Sequence, residues 1–177
     1  MARIPYADLN RPEIKPLADR IRAERGDVLH LYRMLMHSEP VASGWLNYLT
    51  AIRQKCSLSG ALRELVIMRV AQLNGAPYEA DQHRPIALKE GVSEAQLDAL
   101  ADWGSNREVF DPVQRDVLAY TDAMTRDIHV ADDVAKAVSQ HFDHQQLVEL
   151  TATVAAYNMV SRFLEAMQIH SDDKPGA

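Results

Sequence analysis

Residues 60–91 read GALRELVIMRVAQLNGAPYEADQHRPIALKEG, which parses as two helices meeting at one glycine. In the first, Leu62, Leu65, Val66, Val70 and Leu73 recur at i, i+3, i+4 spacing, the stripe a helix turns toward a core. Ser59 precedes it as an N-cap. Arg69 falls on the same stripe. A buried arginine needs a carboxylate or a bound anion as partner. Glu64, Met68 and Gln72 lie on an adjoining face. Asn74-Gly75-Ala76-Pro77 then stops one helix and starts the next, with glycine past the end and proline in the first turn. The second helix runs to Gly91, bent or interrupted at Pro85. It carries Glu79 and His83 at i, i+4, on one face.

A hairpin of these two helices can carry Glu64 toward Glu79 and His83. Two carboxylates and an imidazole in one half-buried pocket push one another's pKa values apart, giving an acid and a base near neutral pH. Spacing alone also fits the more usual arrangement, a solvated Glu79–His83 pair and an exposed Glu64.

The flanking sequence continues in helices. Residues 1–15 hold Pro5 and Pro12, with Pro16 just beyond, and read as an extended arm. One helical domain is expected over 16–177. Short helices are expected over 17–25 and 28–36, and Ser38-Glu39-Pro40 opens a third that runs to about Lys55. GVSEAQLDAL (91–100) and HFDHQQLVEL (141–150) match as repeated helix starts, each with a capping box, Ser93/Gln96 and Asp143/Gln146. Residues 101–110 read as a polar loop, and further helices are expected from Asp111-Pro112 to Asp127 and over 131–140. The last helix, 144–169, is apolar almost all round from Leu147 to Val160. That pattern predicts burial on most sides, shared in part with another subunit. No segment alternates with period 2, so the fold class is all-α.

With 177 residues, 47% of them hydrophobic and 25% charged, the chain buries about 70% of its unfolded surface as one domain. A net charge of −6 and the lack of any Lys/Arg-rich run argue against nucleic-acid binding. No apolar stretch spans a bilayer and the first residues lack a signal peptide's apolar core, so a soluble cytoplasmic protein is expected. One cysteine, Cys56, leaves no internal disulfide and no dithiol centre within one chain. No H-E-x-x-H or comparable ligand spacing, G-x-S-x-G, phosphate loop or dinucleotide fingerprint occurs. His30 and His37, seven apart, read as surface or interface residues rather than metal ligands. Asn158, inside the apolar helix, reads as a structural hydrogen-bonding amide.

On Leu62 to Gly75, Tyr78-Glu79, His83 and Ala87 to Val92, the chain is identified as a member of the carboxymuconolactone decarboxylase family, which includes the alkyl hydroperoxidase D-like proteins. Weaker similarity continues through Ala119-Tyr120 and Leu147 to Phe163. The resemblance implies an alkyl hydroperoxidase D-like helical bundle with a central helix-turn-helix hairpin, assembled as a homotrimer or homohexamer. The family's peroxidase branch carries Cys-x-x-Cys after the hinge glycine, with a histidine four residues later and an upstream glutamate. Ala76 and Glu79 stand at the two cysteine positions here, while Glu64 and His83 keep the relay positions. Thiol peroxidase chemistry is therefore not expected. The resemblance instead implies cofactor-free acid–base chemistry on a small carboxylated ring or lactone. His83 would donate the proton, Glu79 and Glu64 would tune or relay it, and Arg69 and Tyr78 would hold the substrate. A non-catalytic, small-molecule-binding oligomer of the same fold is the alternative.

Overall fold

Gly75 sits in the left-handed region, at φ +62°, where a Cβ is strained, and it turns the chain from α4 (Gly60–Leu73) into α5 (Pro77–Lys89). The Ser59 side chain caps α4 by accepting a hydrogen bond from the Leu62 N–H, and Pro77 opens α5. The computed structural model describes residues 1–174, so the last three residues of the expected domain, 175–177, lie outside the described residues. Around the hairpin stand α1 (Lys15–Arg25), α2 (His30–Leu35), α3 (Glu39–Gln54), α6 (Glu94–Ala99), α7 (Pro112–Arg126), α8 (Asp132–Ser139) and α9 (His144–Met167). Among the described residues there is no strand, and the fold is all-α.

α4 is the axis of the molecule. It packs against α5, α7 and α9, and every residue from Glu64 to Ala71 is buried. Its apolar residues feed two cores at once. Val66, Ile67 and Val70 join the larger core with α1 to α3 and α9. Leu65 and Met68 join a smaller one with Ala87, Val92, Leu97, Leu100, Trp103, Phe110 and Leu118. The single apolar stripe read from the sequence therefore understates the burial of α4, because the polar positions between stripe residues are buried too.

α9 buries most of its apolar residues, as expected, and Val148, Ala155 and Met159 remain exposed along one side. It ends at Met167 rather than 169, where Gln168 turns left-handed. The expected polar loop at 101–110 contains two short 3-10 turns, at 100–102 and 107–109, and buries Trp103 and Phe110. Both expected capping boxes are formed, with a third at Asp111/Gln114. In residues 1–14 the arm buries Ala7, Leu9 and Ile14, its Arg3 N–H donates to the Met167 carbonyl, and its Ala7 N–H donates to Arg33.

The partner that a buried Arg69 requires is Asp122 of α7. The guanidinium donates to both carboxylate oxygens at 2.6 and 2.7 Å, and to the carbonyls of Leu100 and Ala101 at 2.9 and 3.1 Å. Trp103 Nε1–H adds a third donor to Asp122 at 3.2 Å. This network ties α4, α7 and the 100–103 turn together. Four of its five N–H donors are thus engaged inside the protein, where the sequence reading expects a substrate anchor. Asp122→Ala would strand the guanidinium in the core. It should lower unfolding stability by about 3 kcal/mol in urea titration, since breaking one partner of a buried pair leaves an uncompensated charge. A loss below about 1 kcal/mol would mean the network is dispensable.

Candidate active site

The antiparallel hairpin sets the register of the site. Glu64, on the α4 face that meets α5, lies against His83, one turn beyond Glu79 on α5. His83 Nδ1 is 2.6 Å from Glu64 Oε2, and Arg63 Nε–H donates to Glu64 Oε1 at 3.1 Å. Both carboxylate oxygens are thus engaged, and the carboxylate is fully buried. Burial pushes the Glu64 carboxyl up, but the His83 hydrogen bond and the nearby positive charge of Arg63 and Arg53 outweigh it and hold it below the ordinary glutamate range. An ionised carboxylate only accepts, so His83 Nδ1 carries a proton and donates it to Glu64. Burial lowers the His83 pKa, and Glu64 opposes this only in part, so the ring rests neutral. Nε2 is then the basic nitrogen. It makes no hydrogen bond among the described residues, and the side chain keeps a tenth of its surface exposed.

Glu79 is driven the other way. It is 2% exposed, and neither of its carboxyl oxygens has a partner. Burial, and secondarily the charge of Glu165, raises its pKa well above the usual carboxylate range, which favours its protonated form. One hairpin therefore carries an ionised glutamate, a neutral imidazole and a glutamate whose burial favours the acid form.

α9 supplies the roof. The Tyr157 ring stands edge-on to His83, with centroids 5.2 Å apart and planes at 89°. Its hydroxyl is buried without a partner, and burial raises its pKa, so it stays a donor. The electrostatics of Tyr157 couple it to both Glu64 and Glu79. The sequence reading missed Tyr157, Glu165, Arg63 and Arg53. The first two were visible as Tyr157, Ser161 and Glu165, a polar line at i, i+4, i+8 in an otherwise apolar helix. The arginines gave no signal, because either reads as an ordinary exposed helix former.

Glu64, Glu79 and His83 are brought to the same hairpin; Arg69 and Tyr78 are not part of the group. Tyr78 points toward the arm side, where its oxygen accepts the His30 N–H at 3.1 Å and its ring stacks on His30 at 5.7 Å. Burial pushes its phenol up to about 12. It lines a separate cavity of about 270 Å³ with His30, Arg33, Gln82 and Ser171. Tyr78, expected from sequence to contact substrate, therefore stands on the other side of α5 from the Glu64–His83 pair, packed on His30. His30 Nδ1 lies 3.1 Å from the His170 carbonyl and His37 Nε2 2.7 Å from that of Pro5, so both histidines pin terminal segments. Asn158 donates to Thr125 and to the Val154 carbonyl and accepts from Asn74, a structural amide as expected. A cavity of about 950 Å³ runs between the arm and residues 170–174, away from the hairpin acids. Among the described residues, no three His, Cys, Asp or Glu side chains are grouped to hold a metal ion, and no helix is long and apolar enough to cross a membrane.

The Glu79 environment has a signed consequence. Its folded pKa lies above its unfolded value, so the folded state binds the extra proton. The stability this gives is complete below the ordinary glutamate range and is lost as pH rises toward the folded pKa. Glu79→Gln keeps the shape and removes that loss. The variant should be more stable than the parent at neutral pH, and the difference should vanish in acid, as read by urea denaturation at a series of pH values. Equal stability at all pH values would show that the carboxyl is not held neutral.

Comparison with known proteins agrees with the geometry. Residues 39–123 match the model of the carboxymuconolactone decarboxylase family. The uncharacterized protein YnjA of Escherichia coli K12 is 30% identical over 164 residues, covering 88% of this chain and 86% of that protein. A structure of an uncharacterized peroxidase-related protein from Ralstonia eutropha JMP134, described as an alkylhydroperoxidase AhpD core, superposes with a TM-score of 0.81 at 18% identity, over 97% of this chain and 93% of that one. The debrominase Bmp8, as a cysteine-to-alanine variant in complex with 2,3,4-tribromopyrrole, superposes with a TM-score of 0.78 at 15% identity, over 100% of this chain and 95% of its own. Such structural likenesses carry the fold, and with the matches in sequence they lead to one assignment: the chain belongs to the carboxymuconolactone decarboxylase family and has the AhpD-like helical fold.

Proposed function

We propose that this protein is a cofactor-free acid–base enzyme acting on a small carboxylated ring or lactone, by decarboxylation or a related lyase step. The observation that carries this reading is the buried Glu64–His83 pair, with Nδ1 fixed by the carboxylate and Nε2 left without a protein partner. A positioned imidazole whose tautomer is set by a carboxylate is a proton carrier. Losing CO2 from a carboxylated unsaturated lactone leaves the bonding pair in the ring, conjugated onto the carbonyl as a dienolate. One proton must then be added at carbon. Nε2 takes up that proton from solvent, Glu64 stabilises the imidazolium through Nδ1–H, and the ring delivers the proton to the dienolate carbon, which returns His83 to its neutral form. Glu79, one turn away on α5, is a second acid on the hairpin, and the Tyr157 ring stands edge-on to His83.

A thiol peroxidase reading has no support in the site. Ala76 and Glu79 occupy the two positions where that chemistry places its thiols. Cys56 lies outside the hairpin, and burial, followed by the charge of Glu149, raises its pKa and disfavours the thiolate. Assembly as a homotrimer or homohexamer belongs to the same proposal, supported by the uncovered apolar side of α9 at Val148, Ala155 and Met159 and by Val41 and Tyr48 on α3.

The test is a turnover screen over carboxylated lactones in D2O, following CO2 release and deuterium at the product carbon. His83→Gln should abolish turnover, and Glu64→Gln should lower kcat by about 10² to 10⁴ with the fold intact by circular dichroism. Full turnover in His83→Gln, on a substrate the parent converts, would remove His83 from the chemistry. Lack of turnover across the whole class by the parent would favour a non-catalytic binding protein.

A further inference from the structure

On the side of α5 away from the Glu64–His83 pair, a cavity of about 270 Å³ is lined by polar groups left unsatisfied among the described residues. Residues 27–30 and Arg33 wall it at the start of α2, Tyr78 and Gln82 from α5, and Ser171 from the segment after α9. Tyr78 is its deeply buried polar member, at 4% exposure. The Tyr78 oxygen accepts the His30 N–H at 3.1 Å, but among the described residues its own O–H has no acceptor. A buried hydroxyl proton without an acceptor is costly, and the cavity is where an acceptor can stand. Arg33 lines the same space. Its Nε–H donates to the Val28 carbonyl at 3.4 Å, which ties the guanidinium to the cavity wall, while Nη1 and Nη2 bond nothing among the described residues. The Gln82 amide is unbonded there too. The walls are braced by other contacts. The His30 ring stacks on Tyr78 at 5.7 Å, His30 Nδ1 lies 3.1 Å from the His170 carbonyl, and Ser171 Oγ donates to Asp81 at 2.6 Å. One acid, the exposed Asp27, lines the cavity, with Oδ1 taken by the Val28 N–H at 2.7 Å. One guanidinium and one carboxylate leave the lining near balance, so a singly charged anion is accepted where a dianion meets repulsion from Asp27.

We propose that this cavity is a ligand site distinct from the Glu64–His83 pair, and that it takes a small monocarboxylate. The planar fork of Arg33 matches a carboxylate, and the Tyr78 O–H and the Gln82 amide supply neutral donors to its oxygens. This inference is independent of the acid–base reading. Tyr78 and Gln82 stand i, i+4 on α5, as do Glu79 and His83, so one helix serves the two sites from adjoining faces.

L-Lactate serves as the probe, lactamide as its uncharged counterpart, and inorganic phosphate at mildly alkaline pH as the mismatched dianion. Each is titrated into the full-length chain while the backbone amide signals of residues 27–33 and 78–82 are followed by NMR. Lactate should shift them saturably, lactamide should not, and phosphate should bind more weakly. Arg33→Gln should weaken lactate binding by about tenfold or more, and Arg33→Lys should recover part of it, since the lost contact is charge-assisted. Tyr78→Phe, which keeps the ring on His30, should weaken binding by about threefold to tenfold. His83→Gln should bind lactate as the parent does. The proposal is overturned if lactate gives no saturable shift, if lactamide or phosphate binds as tightly, if Arg33→Gln keeps the parent's affinity, or if His83→Gln loses it. Thermal unfolding of each variant checks the fold. Should Arg33→Gln fail to fold, Tyr78→Phe decides, and an unchanged affinity there overturns the site. None of these results bears on the acid–base reading, whose own failure, turnover retained in His83→Gln, leaves this site standing.

Discussion

A helix buried on every side cannot carry an unpaired charge, and α4 carries two. Glu64 and Arg69 both lie inside its run of buried residues, five positions apart and so separated by about 140° around the helix axis. Each must find its counter-charge on a different neighbour. Arg69 finds Asp122 on α7, and the bond fixes α7 and the 100–103 turn against the axis. Glu64 finds His83 on α5 and Arg63 in its own turn. The first solution is architectural, because four of the five guanidinium N–H donors are engaged within the protein. The second leaves a ring nitrogen over, and that remainder makes the pair chemically useful.

The hairpin also separates two chemically identical side chains. Glu64 and Glu79 are both buried glutamates, yet one is surrounded by donors and cations and the other by apolar packing and a second carboxylate. Desolvation penalises the charge on both; only at Glu64 do hydrogen bonds and nearby positive charge exceed that penalty. A base and an acid therefore coexist near neutral pH without a metal ligand set among the described residues.

The fold was legible because its punctuation is local. Ser59, Gly75, Pro77, Ser93 and Asp143 all mark their helix ends by side-chain chemistry that acts within a few residues. The Glu64–His83 contact was legible for a related reason, since a tight hairpin fixes which residues of two consecutive helices can meet. What could not be read depends on distant packing. The partner of Arg69 lies 53 residues away on α7, and nothing in the local sequence distinguishes it from a substrate anion as the answer to a buried guanidinium. Tyr78 was expected at the substrate from the family resemblance, but consecutive helix residues point about 100° apart, and it faces His30. The apolar run in α9 was legible as burial on most sides, but which side stays uncovered depends on the packing of distant helices.

The account rests on one protonation state: a neutral His83 with the proton on Nδ1, given to an ionised Glu64, and a bare Nε2. The most direct measurement is ¹⁵N NMR of histidine-labelled protein at neutral pH, with His83→Gln used to assign the ring. A pyrrole-type Nδ1 coupled to a pyridine-type Nε2 is the predicted result. A ring protonated at Nε2 alone, or a fully protonated imidazolium, would contradict the account at its centre.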